Sequence, residues 1–311
     1  MTGLPSRSFI FAACPLCESA DVAGHIRSIR KDMSVEGFSY AKCGRCGTYY
    51  ERDVTPQALD AFYGSLGAYE SATAKDVIAE DLARRLGLSG RERVLDLGCG
   101  SGAWSLPFLR HAAHLTCVDF DPQAVELLRT RVPEEDRLRV SCRASSTLEF
   151  LQTAGTGAFD VVLSMFSLEH DLQPRTVLRE IGRVLSAGGR AVILVPSGDA
   201  LQIALLGGGF YWFQAPWHTF VPSRKGINAA AAAAGFQQAA VFEPTNPFYS
   251  WFWLRGFADR WRLRPQYDRL RRFRWFVGAD MALDRVLDRI SWRLARPSYR
   301  FFILARAGGA V

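Results

Sequence analysis

From Val94 onward, short apolar stretches alternate with segments whose apolar residues recur every three or four positions. The first pattern reads as strands buried on both faces, the second as helices with one buried side. Val94–Leu97, His114–Asp119, Arg139–Arg143, Phe159–Ser164, Arg190–Val195, Phe236–Glu243 and Tyr299–Ala307 therefore predict seven strands. Asp121 followed by Pro122 predicts a helix to about Arg131, since an acidic cap and a proline in the first turn suit a helix start. Arg175–Leu185 and the alanine-rich Ser223–Ala234, stopped by Gly235, read as further helices. Strands alternating with helices predict an α/β fold built on a largely parallel sheet.

The first of these strands runs into Gly98-Cys99-Gly100-Ser101-Gly102. Alternate glycines accept positive φ and bring no Cβ, so a ligand can lie against bare backbone, with amides at the start of the following helix as partners for an anionic or polar group. Twenty-one residues after Gly98 the next strand ends in Asp119, a carboxylate placed to accept hydrogen bonds from ribose hydroxyls. The loop alone also satisfies a dinucleotide fingerprint. Asp96 stands where NAD-binding loops carry an apolar residue, and Phe159-Asp160-Val161-Val162-Leu163-Ser164, Ser167-Leu168-Glu169-His170 and Leu185-Ser186-Ala187-Gly188-Gly189-Arg190 through Pro196 follow. Together these resemble the class I S-adenosylmethionine (SAM) dependent methyltransferases from about Asp76 to Glu243. The resemblance implies a Rossmann-like seven-stranded sheet whose last strand is antiparallel and inserted beside the sixth. It also implies SAM held by Asp96, Gly98, Cys99, Gly100, Gly102, Asp119, Phe120, Ser145 and Ser164. Where many members carry an acid for the adenine amino group, this chain reads Arg143-Ala144-Ser145-Ser146, so a backbone group or a serine hydroxyl takes that contact.

Ahead of this region lie Cys14-Pro15-Leu16-Cys17 and Cys43-Gly44-Arg45-Cys46-Gly47. Two CxxC knuckles supply the four sulfurs of a closed tetrahedral zinc site at Cys14, Cys17, Cys43 and Cys46; iron or redox disulfides are the other readings of such pairs. With no open position the metal is structural, supplying folding energy to a segment too short to build its own core. The expected organisation is a zinc-ribbon-like segment over 1–52 and a helical connector over 53–90, with helices at Thr55–Tyr63 and Ser71–Leu86. A methyltransferase domain over 91–311 carries a helical insertion at 244–298. Tyr63 and Tyr69 read as closing over the cofactor or as packing. This order resembles bacterial small-molecule methyltransferases.

Length and composition then narrow the setting. The 311 residues are 49% apolar, enough for a sizeable core, and no apolar run approaches the roughly 18 residues of a membrane span. With no signal-peptide pattern, a reducing, cytoplasmic location is expected, in which Cys99, Cys117 and Cys142 are small core residues. The net charge of +7 is uneven: 251–306 carries 14 arginines, five aspartates and no lysine, a net +9, with five of the eight tryptophans. Such a segment suits an anionic membrane surface, an anionic carrier or RNA. The plainer reading is a docked helix over Asp280–Arg296 that buries Leu283, Val286, Leu287, Ile290 and Leu294.

A sulfonium methyl is already activated, so transfer needs an in-line nucleophile, a dry pocket and at most a base. His170 and His218 are the candidate bases, since both follow strand ends. Tyr211–Phe220 resembles the proline, histidine and phenylalanine segment before the last helix in these enzymes. It reads as a lid over a ring-shaped acceptor or as a loop folded onto the insertion. The expected function is SAM-dependent O-methylation of a small molecule: a sugar, a lipid-linked intermediate or an aromatic or polyketide metabolite. The alternatives are an rRNA or tRNA methyltransferase with a zinc ribbon, a sugar C-methyltransferase, and a non-catalytic zinc module. Against nucleic acid, the excess positive charge lies in 251–306 rather than in the ribbon. In addition, Ser164-Met165-Phe166-Ser167 is not the Asp/Asn-Pro-Pro-aromatic element that exocyclic amines require.

Overall fold

The computed structural model describes residues 11–28, 39–52, 76–242 and 253–307. Strands β1 (Val22–Arg27), β2 (Ser39–Cys43) and β3 (Tyr49–Glu51) precede helix α1 (Asp76–Leu86). Then come β4 (Arg93–Leu97), β5 (His114–Asp119), α2 (Pro122–Arg131), β6 (Val140–Ala144), α3 (Thr147–Thr153), β7 (Phe159–Met165), α4 (Pro174–Val184) and β8 (Leu185–Pro196). They are followed by α5 (Leu201–Leu206), β9 (Phe220–Val221), α6 (Arg224–Ala233) and β10 (Phe236–Phe242). Three helices, α7 (Trp253–Arg260), α8 (Arg264–Leu270) and α9 (Arg274–Arg293), lead to β11 (Tyr299–Arg306). The helix expected at Thr55–Tyr63, the start of the one expected from Ser71, Tyr63 and Tyr69 lie outside the described residues.

The chain divides into two compact units. The larger, described over 76–195, 228–242 and 300–307, holds a seven-stranded sheet in the order β10-β11-β8-β7-β4-β5-β6. β4 pairs in parallel with β5 and β7, β5 with β6, and β7 with β8, while β10 and β11 are antiparallel. The expected sheet and its inserted last strand are thus present. Leu95, Val118, Val162, Ile193 and Leu304 are fully buried, which is why these strands read as continuous apolar runs. α4 covers the sheet with Val177, Leu178, Ile181 and Val184 on one buried face. β8 begins at Leu185, earlier than expected, because Leu185 already pairs with Phe159 across an irregularity in the register. Cys99 and Cys117 are buried as expected, whereas Cys142 is only half-buried on the outer strand β6.

The other unit, described over 11–28, 39–52, 196–227 and 253–299, has a four-stranded sheet in the order β1-β2-β3-β9. Antiparallel pairing sets Tyr49 against Val221 and Tyr50 against Phe220, so the cysteine-bearing strands close on a strand some 170 residues later. Tyr40, Tyr49, Ala200, Phe210, Phe213, Ala215 and Val221 form its core. The aromatic segment 211–220 is therefore core in this unit and not a lid: Phe213 meets Tyr40 and Tyr49 at ring separations of 4.8 and 5.2 Å. The preceding glycine turn meets the insertion, where Gly256 of α7 lies so near the Gly209 carbonyl that a Cβ would be 3.0 Å from it.

The insertion corrects one expectation outright. On α9 the buried residues are Asp280, Asp284, Asp288 and Ser291, while Leu283, Val286, Ile290 and Leu294 are exposed. The carboxylates face inward because donors await them. The Trp253 amide and indole N–H donate to Asp284 and Asp288 at 3.0 and 2.8 Å, and the Tyr267 hydroxyl donates to Asp280 at 2.6 Å. A buried carboxylate is tolerated only with such partners.

Candidate cofactor site and metal centre

In the sheet unit, Leu97 lies level with Val118 on one side and Ser164 on the other, and Asp119 lies level with Ala144. The carboxyl ends of four strands thus align, the edge at which open α/β sheets hold ligands. Gly98, Gly100 and Gly102 all have positive φ, at 73°, 50° and 88°. A Cβ on Gly98 would lie 2.2 Å from the Ser167 hydroxyl oxygen, so only glycine fits there. The amides of Gly98 and Cys99 donate to the Val118 carbonyl at 2.8 and 3.0 Å, and that of Gly100 to Asp119 Oδ2 at 2.8 Å. These amides therefore stiffen the loop instead of standing open for an anion. Nor does an α-helix follow the loop: a 3₁₀ turn at Leu106–His111 does, with Pro107 at its start.

Asp96 is fully buried behind the loop, where the Ser105 hydroxyl donates to Oδ2 and Oδ1 has no protein partner. Burial pushes its pKa up to about 7, the Ser105 hydrogen bond working downward and the charge of Asp119 upward. Asp119 is itself raised by burial, while the amides of Asp121 and Gly100 pull it down. Phe120 is 61% exposed. Ser145 hangs from the Asp119 carbonyl by its amide at 2.9 Å, and Ser164 is buried. The nine expected cofactor residues therefore share one unit and one sheet edge. Orphaned Asp96 Oδ1, the cradle under Gly98 and the exposed ring of Phe120 fit a polar ligand with a planar ring. Sequence reasoning missed Ser105, which satisfies Asp96, and did not single out Glu169, whose fully buried carboxyl is pushed up to about 8 by desolvation. Its place in Ser167-Leu168-Glu169-His170 was the available signal.

His170 lies in the short turn after β7, half-buried, its amide bonded to the Ser167 carbonyl at 3.1 Å. His218 belongs to the other unit and is 3% exposed. Its Nδ1 lies 2.8 Å from the Trp212 carbonyl and its ring stacks on Trp212 at 5.7 Å. A carbonyl only accepts, so Nδ1 carries the proton and Nε2 is the basic nitrogen.

In that same unit Cys14, Cys17, Cys43 and Cys46 are buried, with their sulfurs all within 4.8 Å of one another. Cys14 and Cys46 sulfurs are 3.6 Å apart and those of Cys17 and Cys43 3.5 Å. Zinc–sulfur bonds of about 2.3 Å give tetrahedral edges of about 3.8 Å, so the cluster fits such an ion. Knuckle turns hold it: the Gly47 amide donates to the Cys43 carbonyl at 2.9 Å, and the Cys46 amide points at Cys43 Sγ at 3.5 Å. Cys46 is pulled down to about 4, chiefly by its hydrogen bond with Cys14.

Residues 94–189 match the family model described as a methyltransferase domain. The ubiquinone biosynthesis O-methyltransferase of Xanthomonas oryzae is 38% identical over 109 residues, 35% of this chain and 44% of that protein. The demethylmenaquinone methyltransferase of Clavibacter sepedonicus is 35% identical over 171 residues, 54% of this chain and 66% of that protein. The chain thus spans less than half the length of the ubiquinone-pathway relative. A solved SAM-dependent methyltransferase from Archaeoglobus fulgidus superposes with a TM-score of 0.46 at 17% identity, covering 73% of this chain and 94% of that one. Over residues 94–189 the chain is thus similar to the class I S-adenosylmethionine-dependent methyltransferases, and it carries a glycine loop, a strand-end acid and an inserted antiparallel strand.

Proposed function

We propose that the protein transfers a methyl group from SAM to a hydroxyl of a small-molecule acceptor. The observation that carries this is the sheet edge where Asp119, a stiffened glycine loop and Asp96 converge. The name of the 38% identical relative, a ubiquinone biosynthesis O-methyltransferase, favours an aromatic hydroxyl as acceptor. When bound, SAM supplies an activated sulfonium methyl. Asp119 accepts from the ribose hydroxyls, Phe120 gives the adenine a face, and Ser145 with its backbone replaces the acid found elsewhere in the family. Four closed thiolate ligands and no open position make zinc at Cys14, Cys17, Cys43 and Cys46 structural. The free thiols suit a reducing compartment, as the cytoplasm is.

For the proton, we assign His218 as base, with His170 as the second candidate. The hydrogen bond to the Trp212 carbonyl fixes the tautomer with Nε2 as acceptor. With SAM supplying the methyl group, the proton given up by the acceptor hydroxyl would pass to Nε2 of His218. Products are a methyl ether and S-adenosylhomocysteine. His218→Ala should then lower turnover by about 10²- to 10⁴-fold and leave SAM affinity intact. His218→Gln, which keeps a donor to Trp212, should fold normally and stay slow. Incubation with labelled SAM and a panel of phenols, read by mass spectrometry, tests the reaction itself. A methyl ether on a phenol is expected, and label found on carbon or RNA would overturn the reading.

A further inference from the structure

Large apolar side chains open to solvent are concentrated in one stretch: nine of the fourteen among the described residues lie between Trp261 and Leu294. The same stretch carries most of the chain's excess positive charge. On α9, Leu283, Val286, Ile290 and, one residue past its end, Leu294 recur at three- and four-residue steps and so form one row. They are 39%, 51%, 42% and 57% exposed. Exposed Arg285, Arg289 and Arg293 form a second row beside it, and the buried Asp280, Asp284 and Asp288 a third. The helix therefore turns its anionic row inward and sets its apolar and cationic rows outward. The turns before it repeat the combination. Trp261 and Leu263 follow α7, while Phe273 and Trp275, their rings stacked at 6.4 Å, precede the main body of α9; Arg262, Arg271, Arg272 and Arg274 lie among them.

We propose that α9 and these two turns form an interfacial anchor for an anionic lipid bilayer. Leu283, Val286, Ile290 and Leu294 enter the boundary of the acyl chains, the tryptophans sit at headgroup level and the arginines meet lipid phosphates. Charge selects this occupant. A second copy of the chain would bring the same positive stretch against itself, and a nucleic acid would leave the aliphatic row in water. The surface is independent of which acceptor is methylated.

Cosedimentation of the full zinc-loaded chain tests this, with vesicles of phosphatidylcholine alone and of an equal mixture of phosphatidylcholine and phosphatidylglycerol. Binding to the mixed vesicles alone, weakened by salt, is expected. Val286→Asp combined with Ile290→Asp should lower partitioning by about a hundredfold or more. Arg289→Ser combined with Arg293→Ser should lower it by roughly thirtyfold. Both variants should keep the melting temperature and SAM affinity of the parent, so a failure here leaves the methyltransferase reading untouched. A parent protein that stays in the supernatant with mixed vesicles overturns the proposal, as does undiminished binding by the double aspartate variant. A lipid-free dimer that the aspartate pair splits would give the surface to a second copy and overturn it equally.

Discussion

Asp119 does two things at once: its carboxylate holds the glycine loop through the Gly100 amide and caps the turn into α2 through the Asp121 amide at 3.0 Å. Asp119→Ala removes both ties and, on the function proposed above, the acceptor for ribose, which should cost about 1.5–3 kcal/mol of SAM binding. Calorimetry should read a roughly ten- to 150-fold weaker affinity, and an unchanged value would take the cofactor away from this edge. Two other carboxyls make a pH signature. Burial raises Asp96 to about 7 and Glu169 to about 8, both above ordinary carboxylate values. The folded chain therefore keeps protons that the unfolded chain has lost by about pH 5, so these groups favour folding most in acid and progressively less as pH climbs towards 8. Melting of the SAM-free protein should fall between about pH 6 and 8.5, and Glu169→Gln should flatten that slope. A parent and a Gln variant with parallel profiles would remove Glu169 from the account.

Between α6 and the second knuckle the approach is very close. A Cβ on Gly226 would lie 2.2 Å from Thr48 Oγ1 and 3.0 Å from Leu16 Cδ1, and the Ser223 hydroxyl donates to the Cys46 carbonyl at 2.5 Å. Gly226→Ala should thus destabilise this unit by about 1–3 kcal/mol and speed zinc release to a chelator, followed with a zinc dye. Release at the parent rate would mean the knuckle and helix are not coupled. Most elements were legible in the sequence because their causes are local: Asp121 caps α2 through the Gln123 amide as its identity suggests, and β5 shows its apolar run. The face of α9 was not. Its spacing permits either side to be buried, and Trp253 and Tyr267, which select the aspartate side, act from outside the helix. β9, two residues long, has no periodicity to read and exists through its pairing with β3. Of the site, the glycines and Asp119 were legible because glycine loops have a fixed chemistry. Ser105 was hidden because its role depends on a turn bringing it back to Asp96.

At the scale of the molecule, metal and sheet answer to different forces. Zinc held by the four cysteines would be folding energy for the four-stranded sheet, while the seven-stranded sheet rests on buried aliphatic residues. Elemental analysis should find one zinc per chain. Chelation should raise hydrogen exchange first in β1–β3 and β9 while β4, β5 and β7 stay protected; loss of protection in all strands together would contradict this. The grouping of 196–227 with the ribbon was beyond sequence reading, since the pairing of Tyr49 with Val221 has no local signature. That pairing also sets a timetable. All four cysteines have been synthesised by residue 46, but Val221 follows 175 residues later. At ordinary rates of synthesis the gap is about 10–35 s. Throughout it the nascent chain carries a strand with Tyr49 and Tyr50 and no neighbour on its outer side, the kind of edge that recruits other chains. Early capture of zinc would keep that edge short and turned into a knuckle, making metal supply during translation a determinant of how much protein survives to complete its own sheet.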